Sequence, residues 1–244
     1  MKQAQEKQGS FMARFQIFSG AQLKYIAFLS MLIDHVNKGL IYPYLNGGIL
    51  YSISNLFDVI GRIAFPIFVF LLVEGYFHTK NKWKYLGILL LFGVISEVPF
   101  DMFTTRTLYE VNWNNMMFTL AMVLVTIWII DGCREKMKKL PKILWYLVSL
   151  CILLIACFLA MNLGVDYEHH AILVGYFFYL FHERRIWAIP FGYLSVWKEP
   201  WALLGFGLTL TYNGERGKQN KLFNYLFYPV HLLILGLLRF FLGI

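Results

Sequence analysis

The feature that most constrains this chain is a succession of apolar runs, many as long as a membrane-spanning helix, separated by short polar segments. The longer runs cover residues 23–41, 59–77, 85–103, 115–132, 143–163 and 222–242, and shorter ones cover 169–181, 186–196 and 201–212. About 20 apolar residues in helical conformation cross the hydrocarbon core of a bilayer. The pattern therefore predicts an all-α, polytopic transmembrane bundle of about nine spans, with residues 48–58 as a strip in the membrane interface.

The composition excludes the soluble alternatives. Apolar and aromatic residues make up 59% of the chain and charged residues only 15%, whereas a soluble domain carries about 25% charged residues. So few charges cannot cover a surface in water, which excludes ordinary soluble enzymes, secreted disulfide scaffolds and disordered regulators. The three cysteines, Cys133, Cys151 and Cys157, lack metal-type spacing, and no metal is expected.

The distribution of basic residues predicts how the chain lies in the membrane. With nine spans, most of the 22 Lys and Arg residues fall in the N-terminal segment and in alternate loops, on one side. Cytoplasmic loops are enriched in such residues, so we expect a cytoplasmic N-terminus and an extracytoplasmic C-terminus. Residues 1–20 are then a cytoplasmic tail and residues 21–244 a single transmembrane domain. The net charge of +8 follows from this bias, and nucleic-acid binding is not indicated because no basic run interleaves with aromatic residues.

Ionisable side chains inside the predicted spans are candidates for function, because each costs at least about 2.5–3.5 kcal/mol in hydrocarbon. They are Asp34, His35, Arg62, Glu74, His78, Glu97, His231 and Arg239. At a helical rise of about 1.5 Å per residue, Asp34, Glu97 and His231 lie near the middle of their spans. We expect Asp34, His35, Arg62, Glu97 and His231 to converge in the central and outer half, and Glu74 and His78 to lie near the inner rim.

Some of these residues also have a local explanation. Asp34 and His35 are adjacent, so they point about 100° apart and cannot pair on one helix face. Asp34 and Lys38 are four residues apart and could form an ion pair on one turn. Glu74 and His78 have the same spacing and could reach the headgroups at the rim without any chemical role.

Two other patterns favour a cavity. Glu97 lies next to Pro99, which must kink its helix, and a buried acid on a kinked helix usually lines a cavity rather than facing lipid. Asn224, Tyr228 and His231 recur at i, i+4 and i+7 and form one polar stripe on the last apolar run. We therefore expect both segments to line a site.

Common soluble-enzyme motifs are absent from the sequence. It contains no H-E-x-x-H zinc motif, no G-x-S-x-G nucleophile turn, no P-loop and no complete G-x-G-x-x-G fingerprint. The chain is therefore not a zincin, an α/β-hydrolase or a soluble-type nucleotide-binding protein.

Several motifs resemble the TraX family, named for a bacterial conjugal-transfer protein associated with N-terminal acetylation of pilin. The most specific motif is GRIAFPIFVFLLVEGYFHT at residues 61–79. The others are LKYIA at 23–27, MLIDH at 31–35, SEVPFD at 96–101, NMMFTL at 115–120 and YPVHL at 228–232. Together they follow one another through nearly the whole chain.

This resemblance implies an integral acyltransferase of the bacterial cytoplasmic membrane, similar to multi-spanning enzymes that use acetyl-CoA. The acceptor would be an amine or hydroxyl on a pilin-like peptide N-terminus, an envelope glycan or a lipid. The protein itself would be in contact with membrane lipids. The implied catalytic residues are His35, Asp34, Glu97 and His231, and the implied acetyl-CoA-binding residues are Arg62, Glu74, His78 and Tyr228.

The residue types suit acetyl transfer. The reaction needs a base to take the proton of the nucleophile, and His35 or His231 could supply it, oriented by Asp34 or Glu97. It also needs positive charge or hydrogen-bond donors near the developing oxyanion, and Arg62 could supply the charge.

Two other functions remain open. A proton-coupled transporter also carries acids and histidines near the bilayer midplane, although the paired repeats common in transporters are not evident in this sequence. A non-catalytic subunit of a conjugation or secretion machine would not need such a cluster.

Overall fold

A computed structural model describes residues 15–244, which form ten α-helices and no β-strand. The helices are α1 Gly20–Val36, α2 Gly48–Gly61, α3 Ala64–His78, α4 Lys82–Thr104, α5 Met116–Lys136, α6 Lys142–Asn162, α7 Glu168–Leu180, α8 Arg185–Ser195, α9 Ala202–Thr209 and α10 Lys221–Leu242. The all-α prediction is thereby confirmed for these residues. The tail and single-domain assignments stay predictions, and residues 1–14 of the tail lie outside the described part.

Five helical segments are long and apolar enough to cross a membrane. They are Gly48–His78, Lys82–Thr104, Met116–Lys136, Lys142–Asn162 and Lys221–Leu242. The first joins α2 and α3, so the predicted strip 48–58 is helical and leads into the predicted span. Because α7, α8 and α9 contain only 13, 11 and 8 residues, the count of nine spans stays a prediction.

Polar side chains fix where the helices of the site begin. Ser19 and Gln22 form a reciprocal capping box at the start of α1, and asparagine side chains cap three further helices. These are Asn81 for α4, Asn115 for α5 and Asn220 for α10. Each accepts a hydrogen bond from a first-turn N–H that has no partner inside its helix.

The helical segment Gly48–His78 is interrupted at Arg62 and Ile63. The hydroxyl of Ser30 on α1 donates to the carbonyl oxygen of Ile60 at 2.6 Å, just before the interruption. A Cβ on Gly61 would lie 2.4 Å from Oδ1 of Asp34, so only glycine lets α1 approach this closely. The interruption therefore brings Arg62 to the part of α1 that carries Asp34.

Three helices form the side of the bundle that carries most of the candidate residues. α10 packs along α4, and both α10 and the central helix α3 contact α1. Gly236 permits the close packing of α10 on α4, since a Cβ there would lie 3.0 Å from Cβ of Met102. α10 consequently packs along much of α4 and also touches α1.

Candidate functional site

Two histidines that are 196 residues apart in the sequence meet between α1 and α10. Nδ1 of His35 lies 2.8 Å from Nε2 of His231, and the two ring planes differ by 8°. His231 is buried, at 7% exposure, whereas His35 is half-buried. The two rings form a hydrogen-bonded pair, which we call the histidine pair.

The hydrogen bonds of the histidine pair determine its neutral tautomers. Nδ1 of His231 lies 2.6 Å from the carbonyl oxygen of Phe227, and because a carbonyl only accepts, this nitrogen carries the proton. In the neutral ring, Nε2 of His231 is then the acceptor, and Nδ1 of His35 donates to it. Nε2 of His35 is left with a free lone pair, which is the arrangement that a general base requires.

Tyr228 connects the histidine pair to the start of α5. Its ring centroid lies 5.8 Å from that of His231, and its hydroxyl oxygen accepts a hydrogen bond from the N–H of Met116 at 3.4 Å. The hydroxyl keeps its own proton for donation. The ring of Tyr228 therefore lies beside His231, and its hydroxyl, at the first turn of α5, has a proton to donate.

Glu97 is held by Asn115, the residue that caps α5. Both the side-chain amide and the backbone N–H of Asn115 donate to Oε2 of Glu97, the backbone at 3.4 Å. The amide also donates to the carbonyl oxygen of Gly93 at 2.8 Å. Oε1 of Glu97 is buried and has no hydrogen-bond partner among residues 15–244. One oxygen of the carboxyl group is thus fixed and the other remains available.

Asp34 forms the local ion pair that its spacing allowed. Nζ of Lys38 lies 2.7 Å from Oδ2 of Asp34, with the Asp34 side chain at 11% exposure. Oδ1 is buried against Gly61 and has no hydrogen-bond partner in the described part of the chain. No hydrogen bond joins Asp34 to the histidine pair there, so His35 is oriented by His231.

Arg62 pairs with a residue from the far end of the chain. Its Nε lies 3.0 Å from Oε2 of Glu199, in the connection between α8 and α9. Asp34 and Asp58 act on the guanidinium electrostatically but do not form ion pairs with it within residues 15–244. The ion-pair partner of Arg62 in the described part of the chain is thus Glu199, a residue outside the group that was expected to converge.

Asp166 is a member of this charged group that the sequence did not single out. Burial raises its pKa from 3.8 to about 6, with a further increase from Asp34 that Lys38 and Arg62 oppose. Its backbone oxygen accepts from the hydroxyl of Thr119 at 2.7 Å, which ties the loop to α5. Burial therefore favours the protonated form of Asp166 up to a higher pH than in an exposed aspartate.

At the other end of the same helices lies a cavity of about 520 Å³, which we call the basic cavity. It is formed by the first turns of α1, α4 and α10 with the end of α3 and the loop before α10. Its polar lining includes Lys24, Glu74, His78, Lys80, Asn81, Lys84, Arg216, Gln219, Lys221 and Asn224. Because lysine and arginine predominate, the cavity attracts anions.

Glu74 and His78 both line the basic cavity, but they do not form an ion pair with each other. Oε1 of Glu74 lies 3.1 Å from Nε2 of His182 and 3.8 Å from Nε of Arg185. Nδ1 of His78 lies 2.8 Å from the carbonyl oxygen of Glu74. The charge of Glu74 is therefore offset by Arg185 behind the cavity wall, which preserves the positive character of the cavity.

The basic cavity and the histidine pair share the same helices. Lys24 and His35 are eleven residues apart on α1, or roughly 17 Å along the helix axis. Asn224 and His231 of the polar stripe are seven residues apart on α10, or roughly 10 Å. Between them, the rings of Phe28 and Phe227 stack with centroids 4.4 Å apart, and they separate the cavity from the histidine pair.

The structure therefore groups the predicted residues into three places. His35, His231, Tyr228 and Glu97 lie around α10 and the ends of α4 and α5; Asp34 and Arg62 lie in the charged group with Lys38, Asp166 and Glu199; and Glu74 and His78 lie at the basic cavity. The five residues that were expected to converge thus fall into the first two of these places, which are neighbours because Asp34 and His35 are adjacent on α1.

Comparison with known proteins assigns the family. A family model described as "TraX protein" matches residues 19–239. The chain belongs to the TraX family. A curated relative from Dichelobacter nodosus, described as "Probable fimbrial assembly protein FimC, serogroup H1", is 29% identical to this TraX-family chain over 253 residues, which cover 95% of this chain and 100% of the relative. No solved structure matches.

Proposed function

We propose that this chain is an integral membrane acetyltransferase that moves an acetyl group from acetyl-CoA to an amine or hydroxyl. The observation that carries the proposal is the histidine pair, in which His231 holds Nε2 of His35 unprotonated. Membership of the TraX family and similarity to a protein described as a probable fimbrial assembly protein are compatible with a pilin-like acceptor. An envelope glycan or a lipid would meet the same chemical requirement.

In this proposal His35 is the general base. Acetyl-CoA supplies an activated carbonyl carbon as a thioester. Nε2 of His35 takes the proton of the acceptor as the acceptor atom attacks that carbon, and the hydroxyl of Tyr228 donates to the carbonyl oxygen, where negative charge develops. His231 stabilises the positive charge on His35 through their hydrogen bond. The carbon–sulfur bond then breaks, and His35 returns the proton to the sulfur.

The basic cavity is the proposed site for the phosphate groups of acetyl-CoA. Lys24, Lys84 and Arg216 fit this role, because phosphates need several cations or hydrogen-bond donors. The acyl-carrying arm would extend along α1 and α10 towards His35, past Phe28 and Phe227. Lys24 and His35 are separated by roughly 17 Å, which suits a long, flexible arm.

The proposed topology has nine spans, a cytoplasmic N-terminus and a location in the bacterial cytoplasmic membrane. Its support is that the basic residues of separate segments, including Lys24, Lys84 and Arg216, line one cavity at one end of the bundle. Positive charge collects on the cytoplasmic side, where acetyl-CoA is also found. Reporter fusions at both termini would test this, and finding both ends on one side would contradict it.

The decisive experiment is reconstitution of the purified protein in liposomes with acetyl-labelled acetyl-CoA and candidate acceptors. We expect label transfer by the wild type and by the control His169→Ala, which changes a histidine outside the pair, and none by His35→Ala. Label transfer that persists in a correctly inserted His35→Ala variant would remove His35 as the base. Solute uptake without label transfer would instead support a transporter.

A second measurement tests the cavity. Lys84→Glu and Arg216→Glu should each raise KM for acetyl-CoA severalfold with little change in kcat, and less so at high salt because ions screen the charges. Lys139→Glu lies outside the cavity and is the matched control. Equal effects in all three variants would exclude the cavity as the donor site.

A further inference from the structure

A second cavity of about 650 Å³ lies between α4, α5 and α6, away from the basic cavity. We call it the apolar cleft. Leu86 and Leu90 of α4 form one wall, and Ile152 and Leu159 of α6 form the other. Its floor is the face of α5 that includes Phe118, Ala121, Met122, Val125 and Ile129. All three helices are long and apolar enough to span a membrane, so the cleft lies at hydrocarbon depth.

The polarity of the cleft is confined to one end. Among its described lining residues, Asn114 and Thr126 are the polar ones, and the hydroxyl of Thr126 donates to the carbonyl oxygen of Met122 in its own helix at 2.8 Å. Asn114 uses its amide N–H to reach the carbonyl oxygen of Leu163 at 2.6 Å, which leaves its Oδ1 able to accept. The cleft is therefore apolar along its length and carries a hydrogen-bond acceptor at the end.

The α4 wall leads directly to Glu97. Leu86, Leu90, Gly93 and Glu97 follow at i, i+4, i+7 and i+11 and share one helix face. Glu97 is held by Asn115, the neighbour of Asn114, and its Oε1 is buried without a hydrogen-bond partner among residues 15–244. Asn114 thus presents one acceptor at the end of the cleft, and Glu97 presents a second one just beyond the lining residues, so a ligand whose polar end carries hydrogen-bond donors would complete both.

The dimensions of the cleft select the ligand. Its α5 residues run from Phe118 to Ile129, eleven residues or roughly 17 Å along the helix axis, and Asn114 lies beyond them, before the helix begins at Met116. An α-helix about 10 Å wide would occupy roughly 1,300 Å³ over that length, about twice the volume of the cleft. A single aliphatic chain is narrow enough.

We infer that the apolar cleft binds one aliphatic chain of a membrane lipid whose polar end, an amine or hydroxyl, donates hydrogen bonds to Glu97 and Asn114. Binding of this lipid does not depend on the enzymatic activity. One further step rests on the proposed function. If the protein is an acetyltransferase, the amine or hydroxyl of this lipid, which lies beside Glu97, is a candidate acetyl acceptor.

The test uses phospholipids with a photoreactive acyl chain and either an ethanolamine or a choline headgroup, in vesicles that contain the purified protein. Ethanolamine has N–H donors and choline has none. We expect labelled peptides from the cleft segments of α4, α5 and α6, with about tenfold more labelling by the ethanolamine lipid, as for one hydrogen bond to a charged group. Glu97→Gln should reduce that preference.

Variants that fill the cleft provide the control. Val125→Phe and Ile152→Phe should each remove cleft labelling, whereas Leu154→Phe, on an exposed part of α6 outside the cleft, should leave it unchanged. Size-exclusion chromatography identifies any variant that does not fold, and the second filling variant then replaces it.

Even labelling of all exposed apolar faces, or unchanged labelling in the filled variants, would overturn the inference that the cleft binds an aliphatic chain. Equal labelling by the lipids with the two headgroups would overturn the inference that the polar end of the ligand donates hydrogen bonds. Because photolabelling needs no acetyl-CoA, failure of the acetyltransferase assay leaves these results interpretable.

Discussion

Replacing His231 with leucine or glutamine isolates the contribution of the histidine pair. Leucine leaves Nδ1 of His35 without the acceptor that now lies 2.8 Å away, while the Oε1 of glutamine can replace Nε2 of His231. When His35 takes a proton, the hydrogen bond that it donates becomes charge-assisted and is worth about 1.5–3 kcal/mol. At 1.36 kcal/mol per factor of ten, His231→Leu should lower kcat roughly 10- to 150-fold, and His231→Gln much less.

The assay is the rate of label transfer from acetyl-CoA at saturating donor, with His35→Ala as the lower limit. General-base catalysis contributes about 10²- to 10⁴-fold, so His35→Ala should be at least as slow as His231→Leu. Thermal unfolding of each variant checks that the fold is intact. If His231→Leu were slower than His35→Ala in folded protein, the base would be His231 and the inferred tautomers would be wrong.

Three further predictions concern residues near the site. Gly61→Ala would force a Cβ to within 2.4 Å of Oδ1 of Asp34 and should lower the free energy of unfolding by about 1–3 kcal/mol. The control is Gly207→Ala, where nothing lies within 4 Å of the added Cβ, and equal stabilities of the two variants would contradict the close packing. Phe28→Ala should join the basic cavity to the histidine pair. The kcat/KM for S-acetylpantetheine should then rise severalfold relative to that for acetyl-CoA, because this short donor lacks the phosphate contacts that help to open the aromatic barrier. An unchanged ratio of the two kcat/KM values would argue for another route to His35. The raised pKa of Asp166 means that folding favours its protonated form, so its contribution to stability is present below about pH 4 and is lost as the pH rises through about 6. Asp166→Asn should therefore raise the free energy of unfolding at pH 8 by at most about 3 kcal/mol and leave it nearly unchanged at pH 4, measured by thermal unfolding. A loss of stability at pH 8 would show that the attraction of Asp166 to Lys38 and Arg62 outweighs the cost of its burial.

The sequence predicted the long helices well because their ends are marked by caps and charges. The run 85–103 lies within α4 Lys82–Thr104, and 143–163 nearly coincides with α6 Lys142–Asn162. Residues 48–58 were harder, since Ser52, Ser54 and Asn55 interrupt the apolar run. They form α2, which continues towards α3, because Ser30 of α1 satisfies a carbonyl at the interruption.

The site was predictable in its members more than in its pairings. His35, Glu97 and His231 stood out because ionisable groups in apolar runs are costly. Which helices are neighbours is a tertiary property, so the contacts of His35 with His231 and of Arg62 with Glu199 could not be derived from spacing.

Asp166 was missed because a loop carboxylate is normally solvated. The nearest signal is Gly164, two residues earlier. It has a positive φ of 56°, and a Cβ there would lie 1.8 Å from the carbonyl oxygen of Asn112. A glycine in such a position indicates a tightly packed loop, but the sequence alone does not distinguish it from an ordinary turn.

The sequence distance between the two histidines has a consequence for biosynthesis. At about 5–20 residues per second, His231 leaves the ribosome roughly 10–40 s after His35, which is 196 residues earlier. Until then, α1, and α4 once it has been made, have no α10 to pack against, and His35 lacks the partner that fixes its tautomer. A nascent chain that stalls in the segment before α10 would therefore be inserted without the histidine pair, and a separately expressed α10 would be the fragment to supply for complementation.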